Sequence, residues 1–216
     1  MRLRDFFYEF FAILPNLFSV FLGIKKRNKN PTKEIPIILL HGIFCSNVSL
    51  WKLKKRLETL GYVVYVPWLG RYFISIEKIA QKFNDYLNKE SITRYILISH
   101  SIGGIVGLYH YLIYKPDIVK AIMIGAPFHG AHLYYTHLIS KTASQINMNS
   151  TFLTELRKKK LKHKHFYSIG SESDELVSIS STKLEGTKSI IVKKEGHVEM
   201  LLSQKVFQTI NDILKK

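Results

Sequence analysis

From residue 34 onward the apolar positions switch period repeatedly. Ile35–His41 (IPIILLH) is a short apolar run without alternation, the pattern of a strand covered on both faces. Ser49–Leu60 then carries apolar residues three and four apart, which predicts an amphipathic helix stopped at Gly61. The exchange repeats. Tyr62–Pro67 reads as a strand and Ile74–Leu87 as a helix; Tyr95–Ser99 reads as a strand and Ile102–Tyr114 as a helix ended by Lys115–Pro116. Val119–Gly125, Phe166–Gly170 and Ser189–Lys193 supply three more strands, and Val198–Leu214 a closing helix. Such alternation predicts an α/β domain over 34–216, with about six strands, mainly parallel, and helices on both faces.

Two stretches fall outside this rhythm. Residues 132–164 lie between the fourth and fifth strands, are strongly basic, and hold an apolar-spaced part from Tyr134 to Leu156. They are too long for an ordinary connection and predict a small helical cap inserted into the domain. Residues 1–33 form the other exception. Phe6–Ile24 is almost continuously apolar, with Arg2 and Arg4 before it and Lys25, Lys26, Arg27 and Lys29 after it. Glu9 and Pro15 disfavour a straight transmembrane helix, because proline removes a helical hydrogen bond and a carboxylate in hydrocarbon is costly. The expectation is an interfacial or re-entrant membrane anchor followed by a basic linker, holding the protein at a cytoplasmic face or in a bacterial envelope.

Composition narrows the partners. A hydrophobic share of 46% fits a packed domain rather than a disordered chain. Cys45 is the single cysteine, so no internal disulfide is available and no cysteine-based metal or redox motif can form. The 32 Lys and Arg against 16 Asp and Glu give a net charge of +16, which attracts polyanions. No motif of basic residues interleaved with aromatics accompanies the charge, so an anionic membrane surface ranks ahead of nucleic acid, which is not expected as a partner.

The candidate chemistry sits where predicted strands end. Ser99–His100–Ser101–Ile102–Gly103 joins a strand to an apolar helix, with small residues two positions either side of Ser101. A turn this tight needs small flanks, and it sets Ser101 at a helix N-terminus, where peptide dipoles favour developing negative charge. His41–Gly42–Ile43 ends the first strand, and its loop is placed to offer a backbone N–H to an oxyanion; the residue after the nucleophile offers another. Ile43 and Ile102 are therefore the expected donors. Gly42 lets the loop come close, and His41 is expected to order it. Asp174 follows the fifth strand in a polar turn, with Glu172 and Glu175 as alternative acids; His197 follows the sixth. A serine hydroxyl becomes a nucleophile when an imidazole takes its proton and a carboxylate fixes that imidazole. The other histidines lack metal-ligand spacing, so neither a metal nor an organic cofactor is expected.

With these residues in place, the chain resembles the bacterial lipase and esterase families of the α/β-hydrolase superfamily, closest to the small triacylglycerol-lipase type. The resemblance runs over about residues 35 to 216 through HGIF, SHSIGG, GAPFHGA, SESDELV and GHVEML. It implies the α/β-hydrolase fold, with Ser101 as nucleophile, Asp174 as acid, His197 as base and no cofactor. Ser99 stands where the families more often have glycine. The implied activity is hydrolysis of a lipid-type ester. An acyltransferase or thioesterase with the same triad, and a non-catalytic membrane-bound scaffold, are the alternative readings.

Overall fold

The computed structural model describes residues 31–43, 45, 47–131, 140–148, 150–159, 161 and 163–216. The N-terminal segment expected to meet a membrane lies outside these residues. Among the described residues no helix is long and apolar enough to cross a membrane.

Six parallel strands form one sheet in the order β2-β1-β3-β4-β5-β6. They are β1 (Ile37–Leu40), β2 (Val64–Tyr65), β3 (Arg94–His100), β4 (Asp117–Ile124), β5 (Phe166–Ser171) and β6 (Lys188–Val192). β1, β5 and all but the first residue of β3 are buried throughout, because helices cover both faces. On one side lie α2 (Ile76–Lys89) and α3 (Ile102–Tyr114), whose Ile76, Ile79, Phe83, Ile105 and Val106 pack on the sheet. On the other lie α1 (Trp51–Thr59) and the C-terminal α7 (Gln204–Lys215), through Leu53, Leu57, Val206, Ile210 and Ile213. Each fully buried side chain of this size stabilises the domain by about 1.5–3 kcal/mol relative to exposure, before ordering costs.

The insertion between β4 and β5 carries two short helices among its described residues, α4 (Lys141–Gln145) and α5 (Thr151–Lys158). α4 is laced to the chain before and within α2. The Ser140 hydroxyl donates to the Tyr72 carbonyl (3.1 Å), Lys141 N–H to Phe73 (3.0 Å), and Gln145 Nε2 to the Glu77 carboxylate (2.9 and 3.0 Å). The first part of the expected cap, 132–139, lies outside the described residues.

Three boundaries differ from the sequence reading. The expected strand 62–67 forms only two paired residues, opposite Ile37 and Ile38 at the edge of the sheet. A single-turn helix, α6 (Ile179–Thr182), appears where none was expected, capped by the Ser178 hydroxyl. The closing helix is broken: Glu199–Leu201 is a 3-10 turn, and α7 begins only after Ser203, whose hydroxyl accepts the Val206 N–H at 3.2 Å. An N-cap residue adopts extended backbone, so the helix cannot run through it.

Candidate active site

The strand order reverses direction between β1 and β3, and in open parallel sheets the crevice beyond the strand ends at that point is where ligands sit. His41–Gly42–Ile43 leaves β1 there and Ser101 leaves β3. Ser101 has φ +55° and ψ −127°, a conformation that L residues seldom adopt. Its N–H donates to the Ile124 carbonyl (2.8 Å), which ties the turn to β4. Small residues make the strain possible. A Cβ on Gly103 would lie 2.6 Å from the His41 carbonyl oxygen, and one on Gly104 would lie 2.6 Å from the Ala126 Cβ. Ser99, buried beneath the turn, is the next small residue, 3.6 Å from that same Gly104 position. α3 can therefore approach β1 and β4 closely enough to aim its N-terminus at the crevice.

The β1 loop lies directly against the serine. A Cβ on Gly42 would sit 3.1 Å from the Ser101 Cβ and 3.5 Å from its Oγ. Ile43 is the turn residue that follows, packed on the core, and Ile102 is the first, fully buried residue of α3. His41 orders the loop as expected: its Nδ1 lies 2.7 Å from the Gly42 carbonyl, so this nitrogen carries the proton. Its ring stacks on Tyr72 at 4.6 Å and on Trp68 at 5.5 Å. Burial lowers its pKa to about 4, against the opposing pull of the Gly42 carbonyl, and the ring is neutral.

Across the crevice, His197 Nδ1 lies 2.8 Å from Asp174 Oδ2. Asp174 is fully buried at its side chain, and its other oxygen accepts the N–H groups of Leu176 (3.0 Å) and Val177 (2.8 Å). Those bonds fix the carboxylate and leave Oδ2 to the imidazole. Of the two alternative acids, Glu172 is exposed, and Glu175 turns to the backbone N–H of His197 (3.2 and 3.3 Å). Gly125, at the end of β4 with φ +58°, makes room for the imidazole: a Cβ there would lie 3.2 Å from His197 Cε1. His100 joins the two halves. Its ring centroid lies 4.7 Å from that of His197, and its Nε2 lies 2.9 Å from the His197 carbonyl.

The sequence reading missed the role of Gly125, the bond from the His197 N–H to Glu175 and the outward reach of His100. Gly125 had a signal, being a glycine at a strand end; the other two contacts join residues 22 and 97 positions apart. His129 bridges its loop to the chain after α6, with Nε2 3.1 Å from the Lys183 carbonyl.

A parallel sheet in this order, with a strained serine turn after its central strand and helices on both faces, defines the α/β-hydrolase fold, and this chain has it. It is similar to the mature form of the Bacillus licheniformis lipase BlEst2, at 14% identity and a TM-score of 0.71, over 86% of this chain and 94% of that one. It is also similar to MGS-MChE2, an α/β hydrolase from the metagenome of lagoon sediments at Mar Chica, Morocco (18%, TM-score 0.69, 86% and 92% covered). A third likeness is to phospholipase PlaB from Legionella pneumophila in complex with thio-NAD (14%, TM-score 0.65, 84% and 63% covered). At such identities the likeness is one of fold. No protein-family model matches the chain, and no curated protein sequence matches it.

Proposed function

We propose that this protein is a serine hydrolase that cleaves carboxylic esters of lipids through an acyl-Ser101 intermediate. The observation that carries the reading is the buried Asp174–His197 pair, at 2.8 Å, facing the crevice where Gly42 lies against Ser101. His197, held by Asp174 at Nδ1, takes the Ser101 proton at Nε2 as Oγ attacks the ester carbonyl. The oxyanion forms between the main-chain N–H groups of Ile43 and Ile102. His197 then passes its proton to the departing alcohol, and water releases the acid by the same route. Peptide donors fixed before the reaction need no reorganisation as charge develops, which is why a loop wedged against the serine counts for catalysis.

A lipid substrate is supported by the surface. Trp51, Trp68, Phe73, Met148 and Leu202 are large apolar side chains between 44% and 47% exposed. All lie in segments that follow a strand, as Ser101 does. With the net charge of +16 and the apolar stretch Phe6–Ile24, they favour work at an anionic membrane surface. The names of the structural neighbours, a lipase and a phospholipase, agree with that class of substrate.

The test is hydrolysis of p-nitrophenyl esters from acetyl to palmitoyl, with and without anionic vesicles, by wild type and Ser101→Ala. The expected loss in the variant is on the order of 10⁴-fold or more. An optimum at long acyl chains, enhanced by vesicles, is the lipid signature. Preference for short esters with no vesicle response removes the lipid part, and equal rates for both proteins remove the triad.

A further inference from the structure

The loop that carries His197 is tied down through its peptides as well as its ring. The His100 Nε2–H donates to the His197 carbonyl at 2.9 Å, and the Glu175 carboxylate accepts the His197 N–H at 3.2 and 3.3 Å. Both main-chain groups of the base are thus held by side chains from distant parts of the chain. One residue upstream, Glu199 Oε2 accepts the Gly196 N–H at 3.0 Å, and two residues upstream the Ser171 hydroxyl accepts the Glu195 N–H at 3.3 Å. A Cβ on Gly196 would lie 3.2 Å from Glu199 Oε2 and 3.3 Å from Glu175 Oε2, so both carboxylates come close to this glycine.

The two holding residues stand beside the other two members of the triad. His100 precedes Ser101, and Glu175 follows Asp174. We infer that His100 and Glu175 are positioning residues that set the distance and tilt of the His197 imidazole relative to both of its partners. The inference rests on the triad reading. Asp174 alone leaves the ring free to rotate about its Nδ1 contact and to slide with the loop. Fixing the peptide groups on both sides of the His197 Cα removes that freedom. A displacement of the nucleophile turn is transmitted to the base through His100, and a displacement of the acid turn through Glu175.

The chemistry of each residue suits the task. His100 is 1% exposed, and burial lowers its pKa to about 3, assisted by the nearby His197 and opposed by the bond to the His197 carbonyl. It is therefore a neutral ring with its proton on Nε2, and it adds no cation beside the imidazolium that forms during catalysis. Its Nδ1 has no hydrogen-bond partner among the described residues. Glu175 supplies an acceptor of fixed direction on the opposite side. Acceptors and donors of this kind are worth most when they hold reacting groups within a fraction of an ångström, since a misplacement of about 1 Å can cost on the order of 10²-fold in rate.

The test compares His100→Leu with His100→Gln, and Glu175→Ala with Glu175→Gln, in the full chain with p-nitrophenyl butyrate. Glutamine keeps an N–H near the position of His Nε2, and keeps a carbonyl acceptor in place of the Glu175 carboxylate. His100→Leu and Glu175→Ala are expected to lower kcat by about 10- to 100-fold with KM changed less than about twofold. They should slow fluorophosphonate labelling of Ser101 in parallel, and each glutamine variant should recover most of the loss. If His100→Leu does not fold, by circular dichroism, the Glu175 pair decides. A kcat retained within twofold by Glu175→Ala, a loss seen in KM alone, or a folded glutamine variant as slow as its partner overturns the positioning role. In those cases Ser101→Ala still abolishes activity, which separates this failure from failure of the triad. A wild type that neither hydrolyses the ester nor reacts with the probe overturns both.

Discussion

The turn that carries Ser101 and the loop that carries His197 meet at one edge of the sheet but are held there by different forces. Around Ser101 the contacts are steric. Gly103 and Gly104 face neighbouring atoms at distances that leave no room for a Cβ, and the strained φ of +55° is enforced by β1, β4 and α3 closing on the turn. Around His197 the contacts are polar. Ser171, Asp174, Glu175, His100 and Glu199 hold the loop through hydrogen bonds to backbone or ring. Packing resists compression and is destroyed by added volume, whereas a hydrogen-bonded loop fails when one donor or acceptor is lost. The Ser101 turn should therefore be sensitive to size, and the His197 loop to polarity.

The largest effect that would sharpen this contrast is a change of polarity at constant size. Asp174→Asn preserves shape and leaves an amide oxygen for Leu176 and Val177, while its N–H faces His197 Nδ1. The imidazole is then driven to the tautomer with its proton on Nε2, which cannot accept from Ser101. Ester hydrolysis should drop by about 10⁴-fold with the melting temperature nearly unchanged, as the analogous change does in a serine protease triad. A drop below tenfold would mean that another group orients the base.

Next in size is a change of volume at constant polarity. Gly104→Val places a branched side chain where a single Cβ already comes within 2.6 Å of the Ala126 Cβ. The expected loss, read by urea unfolding, is about 3 kcal/mol, toward the upper end of overpacking costs. An unchanged midpoint would break the steric account of the turn.

The last test is a pH dependence. His41 and His110 have pKa values lowered to about 4, and His100 to about 3, each chiefly by burial, from an ordinary value of 6.5. The unfolded chain binds these protons below pH 6.5 and the folded one does not. Stability from this source is complete above that pH and declines as pH falls toward the folded values. The slope approaches about 1.4 kcal/mol per pH unit for each proton taken up. Urea midpoints at pH 7.5 and 5.0 should differ in that direction; equal midpoints would show that these rings are protonated in the fold.

Much of this architecture was legible because parallel strands bury both faces and so appear as unbroken apolar runs, as in IPIILLH and YILIS. The strand-end placement of Ser101, Asp174 and His197 was legible for a related reason: each follows an apolar stretch, and sheet topology brings such ends together. The break at Ser203 was not, since Val198, Met200, Leu201, Val206 and Ile210 keep a helical spacing straight through it. Only the hydroxyl of Ser203 marks the new start, and serine is common elsewhere in the chain. Glu175 was legible as a carboxylate near the base but not as a ligand of its backbone, because its partner is set by the tertiary fold.

Both borders of the sheet are poor templates for a further strand. β2 pairs over only two residues and is followed closely by Pro67, which has no N–H to offer. β6 begins with Lys188, and Lys193 and Lys194 follow it. Brevity on one border and lysine on the other discourage another copy of the chain from adding its own strand. A protein that exposes several large aromatic and aliphatic side chains thereby limits the backbone templates it offers for association edge to edge.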